Sequence, residues 1–272
     1  MIRKKLRRKL SMNKKAVFKE LLDKFETEEV RLYCEDMIEN IPDYIFTMPS
    51  STSGKFHNAT QCLPHGQIYH IIMFGAIMNY RLALKCNKEK FANPIHRDAM
   101  RCVPIFHDAV KCGWNGSTFT VHDHPMIAGQ WVRETNVEHN IDDEIKEMIA
   151  RMCERHSGEW TPSKRSKVVL PEPETEMEIL VHECDILSSR SDIDMQPSEY
   201  LKGVLGSSPT TTNDNIDDYI ISFGKYKGTK LVDLFNKDHG YCMWLKENSY
   251  MKEVVEMIKQ IEAKQTQEDD EI

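Results

Sequence analysis

From Gln67 to Lys85 the chain is almost continuously apolar, with Ile71, Ile72, Phe74, Ile77, Met78 and Leu82 at helical spacing and His70 in the first turn. A helix apolar on so much of its circumference has to be enclosed by other elements of the same domain. The neighbouring segments supply those elements as further helices. Asn13 to Asn40 carries one apolar stripe through Val17, Leu21, Leu22 and Phe25 and a second through Val30, Leu32, Met37 and Ile38. Pro42 to Gly66 is broken by Pro42, Pro49, Gly54 and Pro64 and reads as loop. Asp98 to Val110 is expected to be helical, with Met100, Val103 and Phe106 inward. Pro125 suits a first helical position, where its missing N–H does no harm, and opens a helix toward Val137. Asp142 and Asp143 form the acidic first turn of a helix reaching His156, and Glu174 to Arg190 is the last helix of the region. The fold class predicted is all-α: a helical bundle.

Composition bounds the rest. Hydrophobic residues make up 40% and charged residues 29%, ordinary for a globular chain. No apolar run approaches the roughly 20 residues needed to cross a bilayer. The opening MIRKKLRRKL is followed by a polar segment where a signal peptide would have its apolar stretch, so a cytoplasmic location is expected. The eight cysteines are scattered without CxxC pairs and read as reduced thiols in the core. A net charge of -7 opposes coating of nucleic acid by bulk electrostatics but leaves room for a local site. The domain boundaries expected are 1–15 as a basic, flexible N-terminus, 16–200 as the helical domain and 201–215 as a Gly/Ser/Thr/Asn-rich linker. A small α+β module over 216–264 and an acidic tail over 265–272 complete the chain.

Within the apolar frame, polar residues recur at helix ends and inner faces: His70, His107, Asp108, His124, His156 and Asp185. An imidazole or carboxylate placed there is unfavourable unless paired or bound. Helix bundles assemble metal sites by projecting such side chains inward from facing helices. A mixed nitrogen and oxygen set suits a divalent transition metal, Mn, Fe, Zn, Ni or Co, better than an all-oxygen magnesium cage. His122 and Asp123 form a second His-Asp doublet, which leaves His122 as an alternative to His124.

The order His, His-Asp, His-Pro, His, Asp over roughly Phe56 to Asp194 resembles the HD superfamily of metal-dependent phosphohydrolases. PHGQIYH (Pro64 to His70) is similar to the superfamily's PGGLLEH, HDAVK (His107 to Lys111) to HDIGK, and HPMIAG (His124 to Gly129) to HPLLGA. RHSGEW with LPEPETEMEILVHECD resembles the HHG and LPKTPEAELLHLAD stretches of HD-type 3'-to-5' exoribonucleases. The resemblance implies that His70, His107, Asp108 and Asp185 hold one ion, with Asp108 bridging to a second held by His124 and His156. It departs at Val110 and His65, which replace glycines, and in lacking the second His of the HH pair beside His156. The first ion's set is therefore matched more fully than the second's. The implied chemistry is attack of activated water on phosphorus, with Lys111 and Arg190 as candidate cations for the transition state. His57 lies where related enzymes carry a histidine near the substrate. His182, at i-3 from Asp185, shares its helix face and is a candidate to orient a ligand.

Toward the C-terminus, Ile221 to Asn248 resembles a small module found in some exonuclease-like proteins, with the pattern FGKYKGK then DPGYLEWL. Lys225 and Lys227 flank Tyr226, cations beside a ring that can contact phosphates and stack a base. The function expected is cleavage of a phosphodiester in nucleic acid or an oligonucleotide. Hydrolysis of free nucleotides is the alternative, and a non-catalytic metal- or nucleotide-binding protein the alternative of another class.

Overall fold

The computed structural model describes residues 12–51, 57–58, 60–117, 119–158, 161–164, 166–193, 196–205, 219–221, 226, 228–248 and 252–270. Among them the chain is built of helices: α1 Lys14–Val17, α2 Lys19–Leu22, α3 Glu28–Glu39, α4 Gly66–Lys85, α5 Pro94–Phe106, α6 His124–Glu134, α7 Asp143–Glu154, α8 Glu176–Ser189 and α9 Glu199–Leu205. Three more follow, α10 Leu231–Lys237, α11 His239–Asn248 and α12 Lys252–Asp270. None is long and apolar enough to cross a membrane.

The helix ends follow local chemistry. Asn93 caps α5 by accepting from Ile95 N at 2.9 Å, with Pro94 behind it. Asp142 caps α7 through Glu144 N, and Thr175 and Glu178 close a reciprocal capping box at the start of α8. At α3 the Thr27 cap makes no such bond. The fully buried Asp98 of α5 substitutes, accepting from Glu26 N, Thr27 N and Thr27 Oγ1 at 2.7 to 3.1 Å. That carboxylate is also paired with Arg101 at 2.6 Å, so α3 is docked on α5 through a charge-assisted cap.

The apolar helix α4 packs between α5 and α8, and α7 lies against α5, α6 and α8. Phe74, Phe106, Met78 and Val103 are fully buried, and the Phe106 ring meets Trp131 edge-on at 5.5 Å and Tyr33 at 6.3 Å. At about 25 cal/mol per Å² of apolar surface removed from water, this shared core is the main force assembling the bundle. All eight cysteines are free thiols, seven of them buried.

Several boundaries differ from expectation. The 13–40 stripe is broken into three helices, and α5 starts four residues earlier and ends four residues earlier than 98–110, because Asn93-Pro94 supplies a stronger start signal. α6 stops at Glu134, three residues short of Val137. Lys14 and Lys15 already belong to α1, so the expected flexible 1–15 segment reaches too far, and its first eleven residues lie outside the described set. Residues 201–205 are helix, with Leu201 and Leu205 buried in the main core; the rest of the expected 201–215 linker lies outside the described residues. The α+β character expected for 216–264 is not found. Among the described residues the module is three helices with one antiparallel bridge, Ile220 to Lys230. Its core, including Leu231, Leu234, Phe235, Leu245 and Ile258, also takes in Cys62 from the turn ahead of α4. The helix α12 carries its backbone through Asp270, into the expected acidic tail.

Candidate metal centre

Gly66 lets α4 begin directly against the preceding loop: a Cβ there would sit 2.0 Å from the Gln61 carbonyl oxygen. One turn apart on this helix, Gln67 and His70 face the same way, and both are buried. From α5 the chain leaves its helix at His107, and the following turns carry Asp108 and Lys111 inward, all three buried. The first turn of α6 brings His124, the turn after α7 brings His156, and α8 brings Asp185. The six candidate ligands, drawn from five separate segments of the chain, meet in the middle of the bundle.

Their contacts are close. His70 Nε2 lies 3.1 Å from Asp185 Oδ1, and His124 Nε2 lies 3.1 Å from Asp108 Oδ1. His107 Nε2 is 3.5 Å from Asp108 Oδ2 and 3.8 Å from Asp185 Oδ1, and has no hydrogen-bond partner although buried. The His156 ring meets those of His107 and His124 at 4.9 and 5.2 Å. Two sets offer ligand atoms all within 4.8 Å of one another: His70, His107 and Asp185, and His107, Asp108 and His156.

The tautomers decide what these contacts are. His107 Nδ1–H donates to the Pro104 carbonyl at 2.9 Å, His124 to Val121 at 2.8 Å and His156 to Cys153 at 2.7 Å, each three residues back. The Ser188 hydroxyl spends its own proton on the Asp185 carbonyl at 2.7 Å, so its oxygen accepts from His70 Nδ1–H at 3.3 Å. With Nδ1 protonated in all four rings, an imidazole in its neutral form presents a bare Nε2 toward carboxylate oxygens, which are also acceptors. Acceptors converging in a buried space call for a cation. Among the described residues a single ammonium is bonded to either carboxylate: Lys111 Nζ reaches Asp108 Oδ2 at 2.8 Å, and its other bonds go to Gln67 Oε1 at 2.6 Å and the Ser50 carbonyl at 3.2 Å.

Burial pushes the His107 imidazole below its ordinary 6.5 and takes His156 down to about 3. For Asp108 burial acts upward, but Lys111 and then the imidazoles of His107 and His124 outweigh it and hold the carboxyl well below the usual range. For Asp185 burial likewise acts upward, and the close contact with His70, then the facing His107, outweigh it and hold the carboxyl below the usual range. Neutral imidazoles and ionised carboxylates are the forms that ligate divalent metals. This donor set fits a transition metal held by nitrogen and oxygen.

Lys111 is placed against Asp108 as a positioning charge, fully occupied by its three bonds. His57 stands at the edge of the cluster with its ring against His70 at 5.1 Å. Burial first, then the neighbouring His70, lowers its pKa to about 4. Gln61 Nε2 donates to the Ser188 carbonyl at 2.8 Å, so its Oε1 accepts from His57 Nδ1–H at 2.8 Å and the His57 Nε2 is left as an acceptor. Of the alternatives His122 and His124, the structure brings in His124; His122 turns away, its Nε2 3.3 Å from the Thr161 carbonyl. His182 donates Nδ1–H to the His156 carbonyl at 2.8 Å and packs on Gly158, so it buttresses the His156 turn without touching a ligand ring.

Arg190 is not brought to the cluster. It is the residue after α8, in extended backbone, half-exposed and paired with Asp192 at 2.6 Å. Tyr226 packs within the C-terminal core, its hydroxyl donating to Asp238 Oδ2 at 2.5 Å; Lys225 and Lys227 lie outside the described residues. Gln67 and Ser188 were missed by sequence reasoning. Gln67 Nε2 donates to Asp108 Oδ2 at 3.0 Å while its Oε1 accepts from Lys111. Each stands three residues from a candidate ligand on one helix, Gln67 before His70 and Ser188 after Asp185, and that same-face spacing was the available signal.

No protein-family profile, no curated protein and no solved structure matches the chain.

Proposed function

We propose that the chain is a metal-dependent phosphohydrolase of the HD type acting on a phosphodiester in nucleic acid or an oligonucleotide. The observation that carries the reading is the convergence of four bare Nε2 atoms with two ionised carboxylates in a buried space. His70, His107, Asp108 and Asp185 would hold one ion, and Asp108, His124 and His156 a second. When bound, a divalent metal supplies acidification of water toward neutral pH and neutralisation of phosphoryl charge. The protein's own part is positional. Lys111 and Gln67 fix the Asp108 carboxylate, the three backbone carbonyls and Ser188 fix the imidazole tautomers, and His57 offers an acceptor at the rim. The preference for a nucleic-acid substrate rests on the resemblance of the His156 to Asp185 region to exoribonucleases.

Metal analysis of purified protein, read with a panel of short single strands, dNTPs and cyclic dinucleotides in Mn²⁺, tests the reading. Stoichiometric divalent metal and chelator-sensitive strand cleavage, both lost in Asp108→Ala, are the expected results. Cleavage of free nucleotides alone would move the substrate to that class. Metal without turnover of any phosphate ester would replace the enzyme by a metal-binding protein.

A further inference from the structure

Between Lys111 and Val121 the chain makes a closed loop directly at the metal centre. Val121 N donates to the Lys111 carbonyl at 2.9 Å, and the Val121 carbonyl accepts the Nδ1–H of His124 at 2.8 Å. The stem is thus bonded to the residue that holds Asp108 and to the histidine that faces it. Inside the loop, Ser117 N donates to the Cys112 carbonyl at 2.7 Å and Gly116 N to Gly113 at 3.1 Å. Gly113 and Gly116 adopt φ of +70° and +62°, which only glycine takes without strain. Cys112 N also donates to the Tyr44 hydroxyl at 3.3 Å, so the loop is tied to the bundle.

On this braced loop Trp114 and Phe119 are each 54% exposed. Trp114 is three residues from Lys111, a reach of at most about 11 Å even for extended chain, and Phe119 is two residues from Val121. Both exposed rings are therefore carried on a loop whose stem residue Val121 is bonded to Lys111 and His124. From Cys112 to Val121 the loop carries no charged residue, so it offers no charge to a phosphate or an acidic or basic peptide. It offers ring faces, together with the polar Asn115, Ser117 and Thr120. Exposed rings on a loop tied to a phosphate-directed centre match one chemistry: a phosphate ester that carries a planar base.

We propose that Trp114 and Phe119 form the stacking surface for the nucleobase next to the phosphate bound at the centre. The proposal rests on the phosphohydrolase reading for the phosphate, but its test does not need turnover. Binding of a fluorescein-labelled, hydrolysis-resistant phosphorothioate single strand to the full chain is followed by anisotropy, with Mn²⁺ and with EDTA, beside an abasic strand of the same length. Competition by dATP tells a strand from a free nucleotide as the source of the base. Each stacked base contributes about tenfold or more in affinity. The intact chain is expected to prefer the base-bearing strand by that factor. The preference should collapse toward one in Trp114→Ala/Phe119→Ala and be largely kept in Trp114→Phe, with unchanged circular dichroism. No preference in the intact chain, or a preference that survives in the double variant, overturns the proposal. So does a double variant whose only change is its oligomeric state, which would make the rings a protein contact. Base-dependent binding in a chain that cleaves no phosphate ester keeps this inference and removes the enzyme reading.

Discussion

Replacing Lys111 by methionine removes one charge from the middle of the bundle and leaves another without its partner. The ammonium is 4% exposed, bonded to Asp108 Oδ2, Gln67 Oε1 and the Ser50 carbonyl, and Asp108 is 5% exposed. Methionine keeps most of the volume, so the loss is electrostatic. Breaking a buried pair by deleting one partner costs about 3–5 kcal/mol, because the remaining charge stays desolvated. For a chain of this size that is a fall of roughly 6 to 20 °C in Tm. Chemical and thermal denaturation of metal-free protein measure it. The diagnostic comparison is Lys111→Met with Asp108→Asn in one chain, where the stranded charge is gone while Gln67 and His124 still have a polar neighbour. A coupling of about 2 kcal/mol in favour of the double variant is expected. Strictly additive losses, or a Lys111→Met chain destabilised by less than about 1 kcal/mol, would refute the claim that Lys111 neutralises Asp108.

Asp98→Ala strips the donors of Glu26, Thr27 and Arg101 of their acceptor and should destabilise by about 3 kcal/mol or more without changing metal content, read by denaturation and metal analysis. Gly66→Ala forces a Cβ toward the Gln61 carbonyl, and the loop carrying Gln61 and His57 has to move. A loss of about 1–3 kcal/mol, with a larger relative fall in strand cleavage than in stability, is expected in parallel melting and Mn²⁺ assays. Glu26 is pushed down to about 2 from its ordinary 4.5, first by its hydrogen bond with Arg97 and, against burial, by Arg101. The unfolded chain therefore takes up this proton first. The stabilisation is complete above about pH 4.5 and is lost as pH falls toward 2. Glu26→Gln should flatten that part of the acid titration of Tm.

Much of the scaffold was legible because it depends on near neighbours in the chain. Apolar spacing located α4, α7 and α8 to within two residues, and Pro125 and Asp142 marked true helix starts, since periodicity and capping are local properties. The imidazole tautomers belong to the same class, for His107, His124 and His156 each donate to a carbonyl three residues back. The candidate ligands were likewise readable as polar residues where an apolar helix has no use for them. Pro94 and its cap shifted α5, and α10 forms where β-prone runs around a glycine turn pointed to strand, because short apolar runs suit either.

Which of those ligands share a space was decided only by packing. The His-Pro context favoured His124 over His122, but only packing brings His124 to Asp108 and leaves His122 against the Thr161 carbonyl. Arg190 was read as a candidate cation about one turn past Asp185, but α8 ends one residue earlier and the side chain follows the extended backbone to Asp192. Lys111 was legible as a cation near the doublet, whereas its commitment to Asp108 and Gln67 required α4 to lie alongside. The local chain sets each donor and its proton, while the direction in which Nε2 or a carboxylate points depends on helix positions fixed by contacts far away in sequence.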